Sequence, residues 1–571
     1  MTNSEIAAML YEFAELTDLE GDVFKRNAYR RAAQSIEELD GDVAEYDREG
    51  RLESIPGVGK AIAQKIAEMV ETGRSAKLEE LRSKFPPGIV ELMKVPEIGP
   101  RSLVRLHQEL GIKDLEDLRQ AALQHRIRSL KGFGERSEEN ILKGIAVVQG
   151  QGGRMLLGDA LPIAEAIAAH LRAGGCEEVS VAGSLRRRKE TIGDIDLLAG
   201  SDEPLRAMDR FVSYPRVASV VSRGPTRSTV RLADGTQVDL RVVPRDSYGA
   251  ALQYFTGSKE HNVVMRRIAI QKGFRLNEYG LHRRDSGEMV AGAQEAEIYR
   301  TLGLDPIPPE LREGRGEIEA AGEHRLPSLL RLEDIRGDMH VHTVMSDGRA
   351  TMREIAEAAF RRGYEYIGVT DHSRSLHIAH GLTVDDLLAS VEEARQLTDE
   401  LGFPVLRGAE VDILEDGSLD YPDEALAQLD YVIGSVHSRF KMDRRTMTER
   451  VMTALSNREL NILGHPTGRL IGRREGYDID IEQVMDEAAR RGVALEVNGF
   501  PDRMDLSDLN CRKAIERGVT LVLDTDAHGV EQLDNMRFAV GTARRGWAER
   551  KDVLNALPLD QLRRFFRVAG A

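Results

Sequence analysis

Residues 182–198 read Ala182-Gly183-Ser184-Leu185-Arg186-Arg187-Arg188-Lys189-Glu190-Thr191-Ile192-Gly193-Asp194-Ile195-Asp196-Leu197-Leu198. Asp194 and Asp196 stand two apart, so on a strand both project from one face. Two carboxylates that close repel unless a cation lies between them. A third, Asp239, falls in another strand-like run, Gln237-Val-Asp-Leu-Arg-Val-Val243, with Arg241 on the same face. Three carboxylates on adjacent strands can hold two divalent ions about 4 Å apart, Mg2+ or Mn2+, which activate a 3′-hydroxyl and stabilise a leaving pyrophosphate. Gly183 and Ser184 offer backbone donors and a hydroxyl, and the run Arg186 to Lys189 offers cations, for a triphosphate.

Downstream of position 337, strand and helix signals alternate. Candidate strands are Asp338–Thr343, Tyr366–Asp371, Val405–Asp412, Tyr431–His437, Asn461–His465, Ala494–Asn498 and Thr520–Asp526, with amphipathic helices such as Met352–Arg362 and Ile481–Arg491 between them. Seven βα units predict a closed or nearly closed parallel barrel. At or just beyond the strands' C-terminal ends fall His340, His342, Asp347, His372, Glu410, His437, His465, Asp526 and His528. In such barrels that end carries the chemistry. Imidazole and carboxylate without thiolate suit Zn, Mn or Fe. Nine such ligands could hold about three ions, matching metal-assisted hydrolysis of phosphate esters. One histidine at a strand end is more often a satisfied core residue; nine are not.

Upstream, positions 1–145 read as helical, with apolar periodicity through Ile6, Met9, Leu10, Phe13 and Leu16 and again from Ala61 to Val70. A glycine hairpin recurs there as Ile55-Pro-Gly-Val-Gly-Lys60, Val95-Pro-Glu-Ile-Gly-Pro100 and Leu130-Lys-Gly-Phe-Gly-Glu135, at spacings of 40 and 35 residues. Glycine lets the backbone approach another chain, and the following helix N-terminus offers unpaired N–H groups to a phosphate. Gly57, Gly59, Lys60 and Gly99 are therefore candidates for binding a DNA backbone. Lys25 to Arg31, with Tyr29 among them, and Lys60, Lys65 and Lys77 form a cationic cluster suited to a 5′-phosphate. Such a cluster lowers the pKa of a neighbouring lysine and so favours Lys65 as an amine nucleophile. The plainer alternative is a solvated helix face with Lys65 paired to Glu68. Positions 150–153 read as a connector, and the Pro-, Gly- and Glu-rich stretch 303–337 as a linker.

At 571 residues the chain has length for roughly four domains. Its 41% hydrophobic and 30% charged residues suit a globular protein, and no apolar run reaches membrane-spanning length. The polar start Met1-Thr-Asn-Ser-Glu5 does not read as a signal peptide. Two cysteines exclude a disulfide scaffold and a Cys-ligated zinc finger, and predict a cytoplasmic protein. Net charge is −16 but uneven: −8 over 1–50, +6 over 51–300 and −14 beyond. A basic middle can face a polyanion, and acidic residues in the C-terminal half can hold metals.

Gly-Ser followed about ten residues later by Asp-x-Asp is the nucleotidyltransferase spacing, and positions 1 to about 315 resemble the family X DNA polymerases, the family of DNA polymerase beta. The lyase-like N-terminal segment, Gly183-Ser-Leu-Arg-Arg187, Asp194-Ile-Asp196, Val238-Asp-Leu-Arg241, Tyr254-Phe-Thr-Gly-Ser258, Asn262, Arg266 and Asn277-Glu-Tyr279 carry the resemblance. It implies metal ligation by Asp194, Asp196 and Asp239, and triphosphate contacts from Ser184, Arg187 and Gly193 beside Gly183. It also implies exclusion of a ribose 2′-hydroxyl by the backbone of Tyr254, Phe255 and Gly257, a minor-groove contact from Asn262 and a template contact from Arg266. Lys65 matches the family's Schiff-base lysine. Two positions depart: Lys259 stands where eukaryotic relatives carry an acid, which bears on nucleotide binding, and Phe24 replaces a histidine, which bears on lyase activity.

Asp338-Met-His-Val-His-Thr-Val-Met-Ser-Asp-Gly348, Thr370-Asp-His-Ser373, Gly464-His-Pro466 and Asp524-Thr-Asp-Ala-His-Gly529 resemble the polymerase-and-histidinol-phosphatase (PHP) domain over about 338–571. Fused to family X polymerases, that domain is similar to Mn-stimulated 3′→5′ exonucleases and 3′-end phosphatases, some with AP-endonuclease activity. The resemblances imply a multidomain chain: a helix-hairpin-helix N-terminal region, an α+β nucleotidyltransferase palm and thumb, and a distorted (β/α)7 PHP barrel. Expected boundaries are 1–90 (lyase-like), 91–150 (fingers-like), 151–245 (palm), 246–315 (thumb), 316–337 (linker) and 338–571 (barrel). The expected activity is short-gap filling in DNA repair with processing of 3′ ends, by a monomer acting on gapped or nicked DNA and dNTPs, without a membrane partner. The rival readings are a small-molecule phosphoesterase recruited to DNA by its N-terminal region, and a non-catalytic DNA-end scaffold.

Overall fold

The computed structural model describes residues 3–37, 39, 43–85, 89–93, 95, 98–130, 132–134, 137, 138, 141, 142, 145 and 154–568. Pro96, Glu97, Lys131 and Glu135 of the second and third glycine hairpins, and the connector 150–153, lie outside them. The chain divides into two compact units, 1–152 and 153–571.

The first unit is helical. Ile6, Leu10, Phe13 and Leu16, one stripe of helix Asn3–Leu19, are buried with Ile36 of helix Val23–Glu37 and Ile66 of helix Lys60–Thr72. Leu103 and Leu118, from helices Pro100–Leu110 and Leu115–Leu123, belong to the same core, so the segments on either side of position 90 share one interior.

The second unit begins with the palm, a five-stranded sheet ordered β2 (Glu178–Val181), β4 (Ile195–Gly200), β7 (Gln237–Val243), β6 (Arg227–Leu232), β5 (Val217–Arg223). The short strands β1 (Met155–Leu156) and β3 (Thr191–Ile192) pair beside it. β4 and β7 are parallel, and every other neighbouring pair in the large sheet is antiparallel. Helices Leu157–Ala173 and Pro204–Val212 bury Ile167, Leu171, Met208 and Phe211 against apolar residues of the sheet. The thumb follows: helices Tyr248–Thr256 and Lys259–Gln271, the antiparallel strands β8 (Phe274–Asn277), β9 (Gly280–Arg283) and β10 (Met289–Ala291), and helix Glu295–Thr301.

The expected linker is ordered instead. Helix Glu317–Gly322 buries Ile318 and Ala321 in the thumb core, and buried Glu317 meets His261 at 2.8 Å. Leu330 and Ile335 enter the barrel core. Proline and glycine raised the expectation of a spacer, but the apolar residues between them find cores on both sides.

Seven parallel strands then run in sequence order: β11 (Gly337–Asp338), β12 (Tyr366–Val369), β13 (Val405–Asp412), β14 (Tyr431–Ser435), β15 (Ile462–Leu463), β16 (Ala494–Asn498) and β17 (Leu521–Asp524). A bridge between Val341 and Ala527 nearly closes the barrel. The strands are buried throughout, as expected for parallel strands covered on both faces. Met504 and Phe538 of the barrel lie in the palm's own core, and Gly158 is set against Pro501 with no room for a Cβ. Among the described residues no helix is long and apolar enough to cross a membrane.

Candidate active sites

Asp196 and Asp239 are register partners on β4 and β7, and Asp194 immediately precedes β4. The three carboxylates bring oxygens within 4.8 Å of one another. Thr229 and Arg227 (3.2 Å) donate to Asp239 Oδ1, and Gln237 donates to Oδ2 at 3.0 Å. Burial first, then the charges of Asp194 and Asp239, push Asp196 up to about 7. A divalent cation relieves that repulsion, so the trio fits one. Gly183 adopts φ +58, and a Cβ there would run into Asp196 Oδ2, which accounts for the glycine.

The cationic run divides. Arg186 pairs with both oxygens of Glu295 at 2.8 Å and so is not free for a triphosphate. Arg188 is half-buried, its side-chain stem packed beside Gly541 of the barrel and its Nη1 buried without a hydrogen-bond partner. Arg187 donates from Nη1 to the Thr256 carbonyl and from Nε to Glu313 at 3.0 Å. Ser184 stays half-buried at the start of the short helix Gly183–Arg186, Gly193 is exposed, and Tyr254 and Phe255 are half-buried at the end of their helix. Gly257 takes φ +69 just after it, and Asn262 Nδ2 donates to the Tyr254 carbonyl at 2.7 Å. Arg266 and Lys259 are exposed.

The barrel brings all nine expected residues together. Glu410 is central: its Oε1 lies 2.9 Å from His465 Nε2 and 3.4 Å from His437 Nε2. Its Oε2 lies 2.8 Å from His372 Nδ1, 3.4 Å from His340 Nε2 and 3.6 Å from His342 Nε2. Asp526 Oδ1 is 3.2 Å from His342 Nε2, and Asp347 reaches His372 at 3.5 Å and His528 at 3.4 Å. His340 Nε2, both ring nitrogens of His342 and Glu410 Oε2 are buried without hydrogen-bond partners. Buried polar atoms are seldom left so, and bound cations would satisfy them. Burial, then the charges of His372 and His528, hold His342 down to about 4, which keeps it neutral for ligation. His465 and Asp526 carry positive φ, 27 and 52, a cost tolerated where side chains must converge.

Sequence reasoning missed the residues that orient these side chains. Asp412 Oδ1 lies 2.6 Å from His437 Nδ1, and Glu496 Oε1 lies 2.6 Å from His340 Nδ1. Such carboxylates fix imidazole orientation. Asp412 was legible, since it follows Glu410 by two on β13 and so shares its face. Arg503 Nε, 3.5 Å from Asp526 Oδ2, gave no such signal, because it sits in a loop beyond β16.

In the first unit a cavity of about 390 Å³ is lined by Lys25, Tyr29, Gln64, Lys65, Glu68 and Lys77, among others. Lys65 Nζ donates to the Ala61 carbonyl at 2.9 Å and lies 6.0 Å from the Tyr29 ring centre. The Glu68 pairing does not form: Glu68 accepts from Ser75 and the Ala76 N–H, and among the described residues Lys65 makes no ion pair. Burial first, then Lys77, and more weakly Lys25, lower the Lys65 pKa. Lys25 is held by Asp22 at 2.7 Å, and Phe24 is 90% exposed. Gly59 and Gly99 begin their helices without a side-chain cap, and Lys60 opens the helix after Gly59.

Family models match the same segments: helix-hairpin-helix domain over 1–75, SAM-like helix-hairpin-helix tandem over 89–146, DNA polymerase beta thumb over 251–313 and PHP domain over 338–499. The chain is 41% identical to the DNA polymerase/3′-5′ exonuclease PolX of Bacillus subtilis across 99% of its own length and 100% of that protein's. It is 26% identical to DNA polymerase lambda of Rattus norvegicus over 54% of this chain and 56% of the relative. A Thermoanaerobacter protein named a probable phosphatase is 34% identical over 34% of this chain and 78% of its own. With these matches covering both the polymerase-like and the barrel regions, the chain belongs to the family X DNA polymerases that carry a C-terminal PHP domain.

Proposed function

We propose that the chain fills short gaps in DNA and trims or dephosphorylates 3′ ends, with synthesis in the palm and hydrolysis in the barrel. One observation carries this reading: two separate clusters of metal-type ligands stand in one chain, the aspartate trio on β4 and β7 and the nine residues at the barrel's C-terminal end. The Bacillus relative, whose name joins both activities, supports it.

Asp194, Asp196 and Asp239 would hold Mg2+ or Mn2+, which lower the barrier to attack by a primer 3′-hydroxyl and to departure of pyrophosphate. Arg187 keeps Nη2 clear of protein acceptors among the described residues, and that end would meet the dNTP triphosphate beside Gly183, Ser184 and Gly193. The backbone of Tyr254 to Gly257 would screen the ribose, Asn262 the base edge, and exposed Arg266 the template. His340, His342, Asp347, His372, Glu410, His437, His465, Asp526 and His528 would hold about three Zn, Mn or Fe ions, which supply Lewis acidity for phosphodiester hydrolysis. Gly57, Gly59, Lys60 and Gly99 would grip DNA phosphates, and Lys25, Tyr29 and Lys65 a downstream 5′ end, with Lys65 as the amine that releases a 5′-deoxyribose phosphate. The chain would do this as a monomer.

The test is one gel. A 5′-labelled primer is annealed to leave a short gap with a downstream 5′-phosphate and incubated with Mn2+, with and without dNTPs. A longer primer with dNTPs and a shorter one without is the expected result. Extension alone would remove hydrolysis of DNA ends from the barrel, and shortening alone would remove synthesis from the palm.

A further inference from the structure

A chain of five alternating charges crosses from the palm into the barrel. Arg187 Nε donates to Glu313 Oε1 at 3.0 Å, and Arg545 Nη1 donates to that same oxygen at 2.9 Å. Arg545 Nη1 also donates to the Arg187 main-chain carbonyl at 2.7 Å, so one guanidinium holds both the backbone of Arg187 and its acid partner. Arg545 Nη2 donates to Asp508 Oδ2 at 2.7 Å, and Arg315 donates to the same oxygen at 2.9 Å. Arg545 ends helix Met536–Arg545 of the barrel, and Asp508 begins the barrel helix Asp508–Glu516. The Arg545 side chain is 4% exposed and that of Glu313 9%, so these contacts are shielded from solvent.

The arithmetic of charge gives the network a role. Glu313, left with Arg187 and the more exposed Lys189 at 4.0 Å, would largely neutralise Arg187 and compete with any anionic ligand. Shared also with the shielded Arg545, Glu313 spreads its charge over a second guanidinium, while its hydrogen bond and that of the Thr256 carbonyl still fix Arg187 Nε and Nη1. Nη2 is left without a protein acceptor among the described residues. We infer that Arg545, a residue of the barrel, is a positioning residue for nucleotidyl transfer, acting through Glu313 and the Arg187 carbonyl to hold Arg187 for the triphosphate. This rests on the assignment of Arg187 to the triphosphate under the proposed function.

The test uses the full chain with Arg545→Met, Arg545→Lys, Arg187→Met and the double variant Arg187→Met/Arg545→Met. KM and kcat for dNTP are measured by single-nucleotide extension, and Mn2+-dependent hydrolysis of bis(p-nitrophenyl) phosphate reports the barrel. Arg545→Met removes the shielded contacts to Glu313 and the Arg187 carbonyl together with the anchor on Asp508. Since Glu313 and the Thr256 carbonyl still hold Arg187, a rise of about tenfold in dNTP KM is predicted, with kcat and hydrolysis within about twofold of the parent. Arg545→Lys recovers most of that rise, and Arg545→Met adds nothing once Arg187 is already Met. Should Arg545→Met not fold, Asp508→Asn, which loosens the anchor of Arg545, gives a smaller rise in KM of the same kind. The inference is overturned if Arg187→Met raises the dNTP KM and neither Arg545→Met nor Asp508→Asn does, or if the two effects multiply in the double variant. An Arg187→Met enzyme with unchanged KM would instead overturn the triphosphate assignment, and this inference with it.

Discussion

Asp196 and Asp239 stand side by side as register partners on two parallel strands, the one parallel pairing in a sheet whose other described pairings are antiparallel. That pairing sets both carboxylates on one face of the sheet, with Asp194 just ahead of them. Asp194→Ala, Asp196→Asn or Asp239→Ala should each cut primer extension by on the order of a thousandfold or more while hydrolysis stays near the parent level. Parallel loss of both activities would show that the two reactions share one site.

Glu410 touches His340, His342, His372, His437 and His465. Glu410→Gln and His342→Ala are therefore expected to abolish Mn2+-dependent shortening of a 3′ end and to leave extension within about threefold of the parent. Extension assays on the same preparations check that the palm remains folded.

The orphaned nitrogens of His340 and His342 predict a second, thermodynamic readout. Dialysis against a chelator should lower the melting temperature, and Mn2+ or Zn2+ should restore it, because an ion that binds only the folded form stabilises it. Unchanged melting after complete metal removal would contradict a barrel built around ions.

Lys65 carries the pH prediction. Burial, then Lys77 and Lys25, hold it below the ordinary lysine value of 10.5, so the unfolded chain binds that proton more tightly than the folded one. Stability is thus reduced below the depressed pKa, and the deficit is relieved as pH rises from there towards 10.5. The same shift enlarges the neutral, nucleophilic fraction near neutrality. Borohydride trapping on a 5′-deoxyribose phosphate end should be lost in Lys65→Ala, and its pH midpoint should move upward in Lys77→Ala. A midpoint indifferent to Lys77 would sever the cluster from the chemistry.

Gly57 takes φ +77 with its absent Cβ 3.2 Å from the Cβ of Arg31. Gly57→Ala should cost roughly 1–2 kcal/mol from backbone handedness alone and weaken binding to gapped DNA, as read by melting and by a fluorescence titration. Gly59→Ala, at φ −84 with open space around it, should cost much less.

That the trio and the nine barrel residues come together was legible because each group follows from chain-local rules: a spacing of two on a strand, and polar residues stopping apolar strands at one end. What escaped the sequence was long-range. Arg186 to Lys189 reads as one cationic run, yet Glu295 takes Arg186, the stem of Arg188 packs at the barrel with its Nη1 buried, Lys189 lies 4.0 Å from Glu313, and Arg187 keeps Nη2 clear of protein acceptors among the described residues. The stretch 303–337 looked like a spacer because proline and glycine say nothing of the partners awaiting Ile318, Leu330 and Ile335. Arg545 lies 358 residues from Arg187, a separation no periodicity can bridge.

Met504 and Phe538 complete the interior of the palm although they are encoded after position 500. A stop codon ahead of them would withdraw side chains from the half that precedes it. Copying and erasing are thereby inherited as a single indivisible dose: no truncated product should persist as a polymerase that has shed its barrel.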